Sequence, residues 1–339
     1  QAPKQGYVKN ETIYSIDLTC QNDTEEVFVD DSCKQEPIVN RMEKKRVEVI
    51  KADANDTNRK LAGAVFNIYD KEGTAVGQIV TDERGWGQSD ELPLYQEFTL
   101  KEVKSPSGFV LSTEEITFTL TDETPDVLRF ELENQPTEVT LKKTDIATGE
   151  PVSGASIEVR NELGEIVFEG VTGQDGLTIY ELPAGTYTFQ ETISPDGMAI
   201  NTETFTFTID ETGKVMGQTE IQDEPITLQI EKKNSYDDTP LGNVKFRLQD
   251  KDGNIVKLKD AGKGYWIAAK NGSDSFQVDG SGKTEIRYLK AREYALLEEA
   301  PEGFIAAESC QVSITEEHGQ SSPYRAVIYN APSALRVYK

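Results

Sequence analysis

The chain has 339 residues, 36% hydrophobic and 28% charged, the balance of a folded globular protein of two to four domains. Sixty acidic against 35 basic residues leave a formal net charge of −25, which argues against nucleic acid and anionic membrane surfaces as partners. That charge suits a soluble, self-repelling surface protein. No apolar run reaches the length of a membrane span and no leader segment is visible, so the sequence reads as a mature, trimmed chain or as part of a longer one.

Short segments rich in Val, Ile, Thr, Phe and Tyr alternate with Asp-Gly, Glu-Gly and Pro turns, and no stretch keeps a helical period. That pattern predicts an all-β protein built of sandwiches. Residues 1–43 read as the closing part of a preceding domain: Ala2–Tyr7 resembles its Pro-Gly turn, and Asn40 ends a strand-like segment. Three units follow, at 44–136, 137–225 and 226–332, and 333–339 reads as a linker or the first strand of a further domain.

Each unit opens on an apolar-x-apolar-x-Lys strand and continues with a small-residue motif: Leu61–Ala64, Val152–Ala155 or Leu241–Val244. A hairpin turn comes next, at Asp70–Gly73, Asn161–Gly164 or Asp250–Gly253. A strand carrying a glutamate then enters a Pro-x-Gly turn, at Pro106 and Gly108, Pro195 and Gly197, or Pro301 and Gly303. The linkers between units are short, which predicts an elongated, stiff rod.

Three residues recur in these units in fixed order: Lys51, Glu102 and Asn134; Lys143, Glu191 and Asp223; Lys232, Glu298 and Asn330. Each time 32 residues separate the glutamate from the last member, and a proline follows two places later. Nine residues separate that last member from the next lysine, and Lys339 lies nine beyond Asn330, as if opening a fourth set. Regular spacing of this kind marks a repeated domain. Strand parity places every member on an apolar face: Val47 and Val49 with Lys51, Tyr187 and Phe189 with Glu191, Ile328 with Asn330. A charge isolated there would cost several kcal/mol, so it must be neutralised, paired or consumed.

These residue types can form a bond without a cofactor. An apolar surrounding favours the neutral, nucleophilic amine of lysine. It also keeps a glutamic acid protonated, able to polarise a nearby side-chain carbonyl and to shuttle protons. Attack on Asn expels ammonia and attack on Asp expels water, leaving a neutral isopeptide between the first and last strands of a domain. Positioning alone can contribute roughly 7–11 kcal/mol to such a step. A buried ion pair is the alternative. It accounts equally for Lys143, Glu191 and Asp223, and poorly for Asn134 and Asn330, because an amide does not neutralise a lysine.

The pattern resembles the CnaB-type domain, an immunoglobulin-like sandwich with prealbumin-like topology found in sortase-assembled pilins and surface adhesins of Gram-positive bacteria. The segments that carry the resemblance are Val47–Asp53, Tyr187–Glu191, Tyr294–Phe304 and the Asn-x-Pro endings. It implies autocatalytic isopeptides with glutamate as catalyst, a structural shaft or stalk role rather than an enzyme with turnover, and resistance to proteases and force. It further implies an extracellular, cell-wall-anchored or pilus location, no cofactor, neighbouring pilin or adhesin domains as partners, and a sortase acting through a motif outside this chain. Three departures stand out: Asp223 replaces Asn, Glu298 lies one residue nearer its proline so that Glu299 is a rival, and no sorting motif is present.

Other signals are weaker. Cys20 and Cys33 can close a disulfide loop in an oxidising compartment, whereas Cys310 shares parity with Val312 and Ile314 and reads as a buried free thiol. Gly280–Thr284 has the tail of a phosphate-binding loop without its first glycine or its helix, and Asp250–Asn254 has the start of a calcium loop without its remaining ligands; both read as turns. His318 is the only histidine, so a histidine triad or zinc site has nothing to work with, and no metal site is expected. The interval from lysine to glutamate is 51, 48 and then 66 residues, and the insertion in the third unit holds Tyr265 and Trp266. That pair either covers one end of its own sandwich or contacts a host ligand, which would make the chain an adhesin.

Overall fold

The computed structural model describes residues 43–333. Cys20, Cys33, Asn40, the Pro-Gly turn at Ala2–Tyr7 and Lys339 lie outside the described residues. The described chain is all-β, and it divides into two compact units. One runs to Thr137 and takes in Tyr180–Ala184 and Ile209–Lys214; the other comprises Glu138–Ile179, Gly185–Thr208 and the chain from Val215 onward.

In the first repeat the lysine strand Lys44–Asp53 lies between Trp86–Gln88, antiparallel, and the closing strand Val127–Asn134, parallel. The opposite sheet orders Ala75–Val80, Val65–Asp70, Glu97–Lys104 and Glu115–Thr119. Alternation fills the space between them: Val47, Val49, Phe66, Ile68, Phe98 and Leu100 are buried in one cluster. Full burial of such side chains contributes about 1.5–3 kcal/mol each. Leu128, Phe130 and Leu132 share the inward face but are only half-buried, because the closing strand is the sheet edge.

The second and third repeats reuse this plan. Glu138–Asp145 pairs in parallel with Glu220–Asp223, facing a sheet that contains Gly185–Ile193. Thr227–Asn234 pairs in parallel with Tyr324–Asn330, facing a sheet that contains Glu293–Glu299. In every repeat, lysine and terminal residue therefore come from neighbouring parallel strands, and the glutamate comes from across the sandwich. Parallel register sets the reach: Lys51 pairs with Leu132, two residues before Asn134, and Lys232 pairs with Ile328, two before Asn330.

The turns singled out in the sequence lock this arrangement. Asp70, Asn161 and Asp250 each accept two turn N–H groups through their own Oδ1, as does Asp279 at the glycine-rich stretch that follows it. The calcium-like and phosphate-like stretches are thus turns whose polar groups are already engaged. The Lys51 N–H donates to the Gly85 carbonyl at 2.7 Å, and a Cβ on Gly85 would sit 2.3 Å from the Lys51 carbonyl oxygen. Leu61, Val152 and Leu241 of the small-residue motifs donate to the carbonyls of Lys51, Lys143 and Lys232. The prolines after the terminal residues meet the Pro-x-Gly turns, in bridges of Phe109 with Pro136, Met198 with Pro225 and Phe304 with Pro332.

The insertion in the third repeat forms Leu258–Asp260 and Tyr265–Ala268, the latter parallel to Lys283–Arg287. Trp266 is half-buried against the core with its ring 6.1 Å from that of Phe276, and the Arg287 guanidinium lies 4.3 Å over Tyr265. Cys310 is half-buried rather than buried, because Cys310–Ser313 is an edge strand; partial burial still pushes its thiol pKa up. The His318 ring accepts the Thr315 N–H at 2.9 Å and packs edge-on against Tyr324.

Candidate functional site

The lysine, glutamate and terminal residue meet in each of the three repeats. Lys51 is fully buried, its Nζ 3.5 Å from Glu102 Oε1, 5.5 Å from the centre of the Phe66 ring, and donating to the Glu133 carbonyl at 3.0 Å. Asn134 donates its amide NH2 to Glu102 Oε2 at 2.8 Å and also to the Val110 carbonyl. This orientation sets the amide nitrogen against the glutamate carboxyl group. Asn134 Oδ1 and Glu102 Oε1 are buried without hydrogen-bond partners. Burial lowers the Lys51 pKa, opposed in part by the Glu102 charge.

At the third site Lys232 Nζ lies 3.4 Å from Glu298 Oε1 and contacts both Asn330 Oδ1 and the Ile328 carbonyl. Asn330 donates to Glu298 Oε1 at 2.6 Å. Burial again lowers the lysine pKa. The Glu298 side chain is buried in this cluster, whereas Glu299 is exposed on the opposite face of the strand. Parity and position therefore put Glu298, not Glu299, against Lys232.

The second site differs in charge. Lys143 Nζ stands 3.1 Å from Glu191 Oε1 and touches Asp223 Oδ1, with all three side chains fully buried. Burial, with the Asp223 charge adding to it, raises the Glu191 pKa to about 7. Burial raises that of Asp223 as well. One lysine cannot neutralise two carboxylates, so the environment favours keeping a proton on the pair.

A further group at each site was not legible as a residue type. The second glutamate oxygen accepts a backbone N–H: from Ser112 at 2.7 Å, Asn201 at 2.8 Å and Ala307 at 3.1 Å. Each donor lies four residues after the glycine of the Pro-x-Gly turn. Only that offset could have revealed them, because the backbone donates and the side chain is free to vary. Asn201 also reaches the Gln222 carbonyl at 3.1 Å, bracing the strand that holds Asp223.

The arrangement offers a buried amine and a carboxyl group anchored at one oxygen at every site, with the terminal side chain touching the amine in the second and third repeats and touching the glutamate in the first. These are the groups that a side-chain condensation would use. Among the described residues no cluster of three or more His, Cys, Asp or Glu could hold a metal ion, and no helix is long and apolar enough to cross a membrane.

A family model described as SpaA, prealbumin-like fold domain, matches residues 45–136, 137–224 and 226–324. No curated protein matches. Among solved structures the chain is similar to the Bacillus anthracis TIE protein, with 25% identity, 86% of this chain and 52% of that one covered, and a TM-score of 0.45. The chain thus spans about half the length of that protein. It is also similar to BcpA, the major pilin subunit of Bacillus cereus, at 16% identity over 86% of this chain and 100% of that one, with a TM-score of 0.36. The shaft pilin SpaA of Lactobacillus rhamnosus GG matches at 19% identity over 59% of this chain and 99% of that one, with a TM-score of 0.28. With three matched segments covering most of its length, the chain belongs to the family of SpaA prealbumin-like fold domains, in three tandem copies.

Proposed function

We propose that this chain is a load-bearing segment of a Gram-positive pilus shaft or cell-wall-anchored surface protein, and that each repeat welds its first strand to its last. The bonds join Lys51 to Asn134, Lys143 to Asp223 and Lys232 to Asn330, with Glu102, Glu191 and Glu298 carrying protons. Neutral lysine attacks the side-chain carbonyl carbon while the glutamic acid protonates the leaving group. Ammonia departs from the first and third repeats and water from the second. The glutamate takes back the proton that the new amide nitrogen sheds, so it ends as it began.

One observation carries the reading: three sandwiches each bury a lysine, a glutamate and a terminal Asn or Asp at the junction of opening strand, closing strand and opposite sheet. Retained as charges, these groups would pay desolvation three times over. Condensed, they leave a neutral amide between adjacent parallel strands. Such a bond takes the load that would otherwise shear the strands apart, which suits a stalk. Neighbouring domains of the same assembly and a sortase acting outside this chain are the partners this reading requires.

The adhesin alternative rests on Tyr265 and Trp266, and both are engaged within their own repeat by Arg287 and Phe276. Two experiments test the proposal. Peptide mapping after full denaturation should recover branched peptides joining the Lys51 and Asn134 segments, and likewise in the other repeats; linear peptides alone would refute the bonds. Single-molecule pulling should show no extension of a repeat between its lysine and its terminal residue, and full extension would refute the stalk role.

A further inference from the structure

The second and third repeats lie in one compact unit, and polar contacts run between them. Tyr288 of the third repeat donates its hydroxyl to Asp145 Oδ2 of the second at 2.7 Å. Asp145 is 5% exposed, and its own turn completes the socket: Ala147 N–H to Oδ1 at 2.7 Å and the Thr148 hydroxyl to Oδ2 at 3.0 Å. Lys290 pairs with Asp196. Glu224 Oε2 accepts both the N–H and the hydroxyl of Ser321, at 2.7 and 2.8 Å, and the Ile200 N–H donates to the Glu316 carbonyl at 2.8 Å. Among the described residues of the second repeat, Ala199 joins the buried cluster of the third.

A cleft of about 460 Å³ opens beside these contacts, lined by residues that include Asn201, Glu203, Gln222 and Glu317. Domains that share little apolar surface move relative to one another by default. Here the fit is specific on both sides. Tyr288 takes a left-handed backbone with φ of 60°, uncommon for a bulky residue, and this is the residue that reaches Asp145. A Cβ on Gly197 of the second repeat would fall 3.0 Å from the Tyr288 carbonyl oxygen, and one on Gly319 of the third would fall 2.4 Å from Glu224 Oε2. Glycine on each face permits the closest approaches of the other.

We propose that Tyr288 and Asp145 form a latch that fixes the second and third repeats as one stiff body, with the Glu224–Ser321 contact as its second pin. Asp145 lies two residues beyond Lys143 on the same strand. Load crossing the junction therefore enters the second repeat on the strand that carries its reactive lysine. The latch does not depend on whether that lysine is crosslinked.

Amide hydrogen exchange on the whole chain tests this, comparing wild type with Tyr288→Phe, which keeps the ring and removes only the donor. The Ile200 and Ser321 amides should exchange roughly tenfold faster in the variant. The Lys232 amide, bonded to Gly282 inside the third sandwich, should keep its wild-type rate. Wild-type Ile200 and Ser321 amides exchanging as fast as exposed loop amides would overturn the proposal. So would a variant whose junction amides exchange at the wild-type rate.

Discussion

The first and second repeats hold the same lysine and glutamate in the same frame, yet one ends on Asn134 and the other on Asp223. In the first, the amide NH2 is turned onto the glutamate and one lysine faces one carboxyl group. In the second, one lysine faces two carboxyl groups that share its burial, and Glu191 is driven up to about 7. The change from amide to acid therefore keeps the three groups together, moves the terminal side chain's contact from the glutamate to the lysine, and changes the proton count. The lesson is that the fold fixes where the groups meet, while in the proposed condensation the terminal residue would decide the leaving group and the pH at which it runs.

The largest expected effect comes from removing the cation. Lys143→Ala strands two buried carboxyl groups and forbids the bond, so the second repeat should lose about 3–5 kcal/mol, read as the melting transition of that repeat. Lys51→Ala strands only one, and its loss should fall at the lower end of that range. Equal losses in the two variants would contradict the charge difference between the sites.

Asp223→Asn makes the second site chemically like the first. Its denatured mass deficit should change from one water to one ammonia, and its pH behaviour should follow the first repeat. A variant that loses the deficit altogether would show that the second site needs its acid.

The pH trends should run in opposite directions. With its pKa raised from 4.5 to about 7, Glu191 keeps its proton in the folded repeat over a range where the unfolded chain has lost it. The folded state then holds more protons, so stability of the uncrosslinked repeat falls as pH rises across that window. Crosslinking of the second repeat should likewise slow above pH 7, as its proton donor is lost. In the first and third repeats, rising pH increases the neutral fraction of Lys51 and Lys232, and crosslinking should accelerate. Quenched refolding time courses at several pH values, followed by mass, would decide this. The smallest effect concerns the insertion: Trp266→Ala should cost the third repeat about 1–2 kcal/mol by calorimetry, as befits a half-buried ring on Phe276.

Much of this was legible in the residues. Parity in Val47-x-Val49-x-Lys51 and in Phe98-x-Leu100-x-Glu102 placed those side chains inward, and they are buried. The interval of 32 residues distinguished Glu298 from Glu299, and the two side chains do face opposite ways. What escaped was carried by backbone or by tertiary neighbours. The N–H groups of Ser112, Asn201 and Ala307 have no common side chain to recognise. The half-burial of Cys310 depends on its strand lying at a sheet edge, which alternation cannot reveal. Tyr288 meets Asp145 across 143 residues of sequence, and nothing in its local pattern sets it apart from any tyrosine after a strand.

Intact mass of the fully denatured, reduced chain bears most directly on the central claim. The wild-type chain should be lighter than its sequence by two ammonias and one water, with the water deficit lost in Lys143→Ala and one ammonia deficit lost in Lys51→Ala. A wild-type mass equal to that of the uncondensed sequence would contradict the claim.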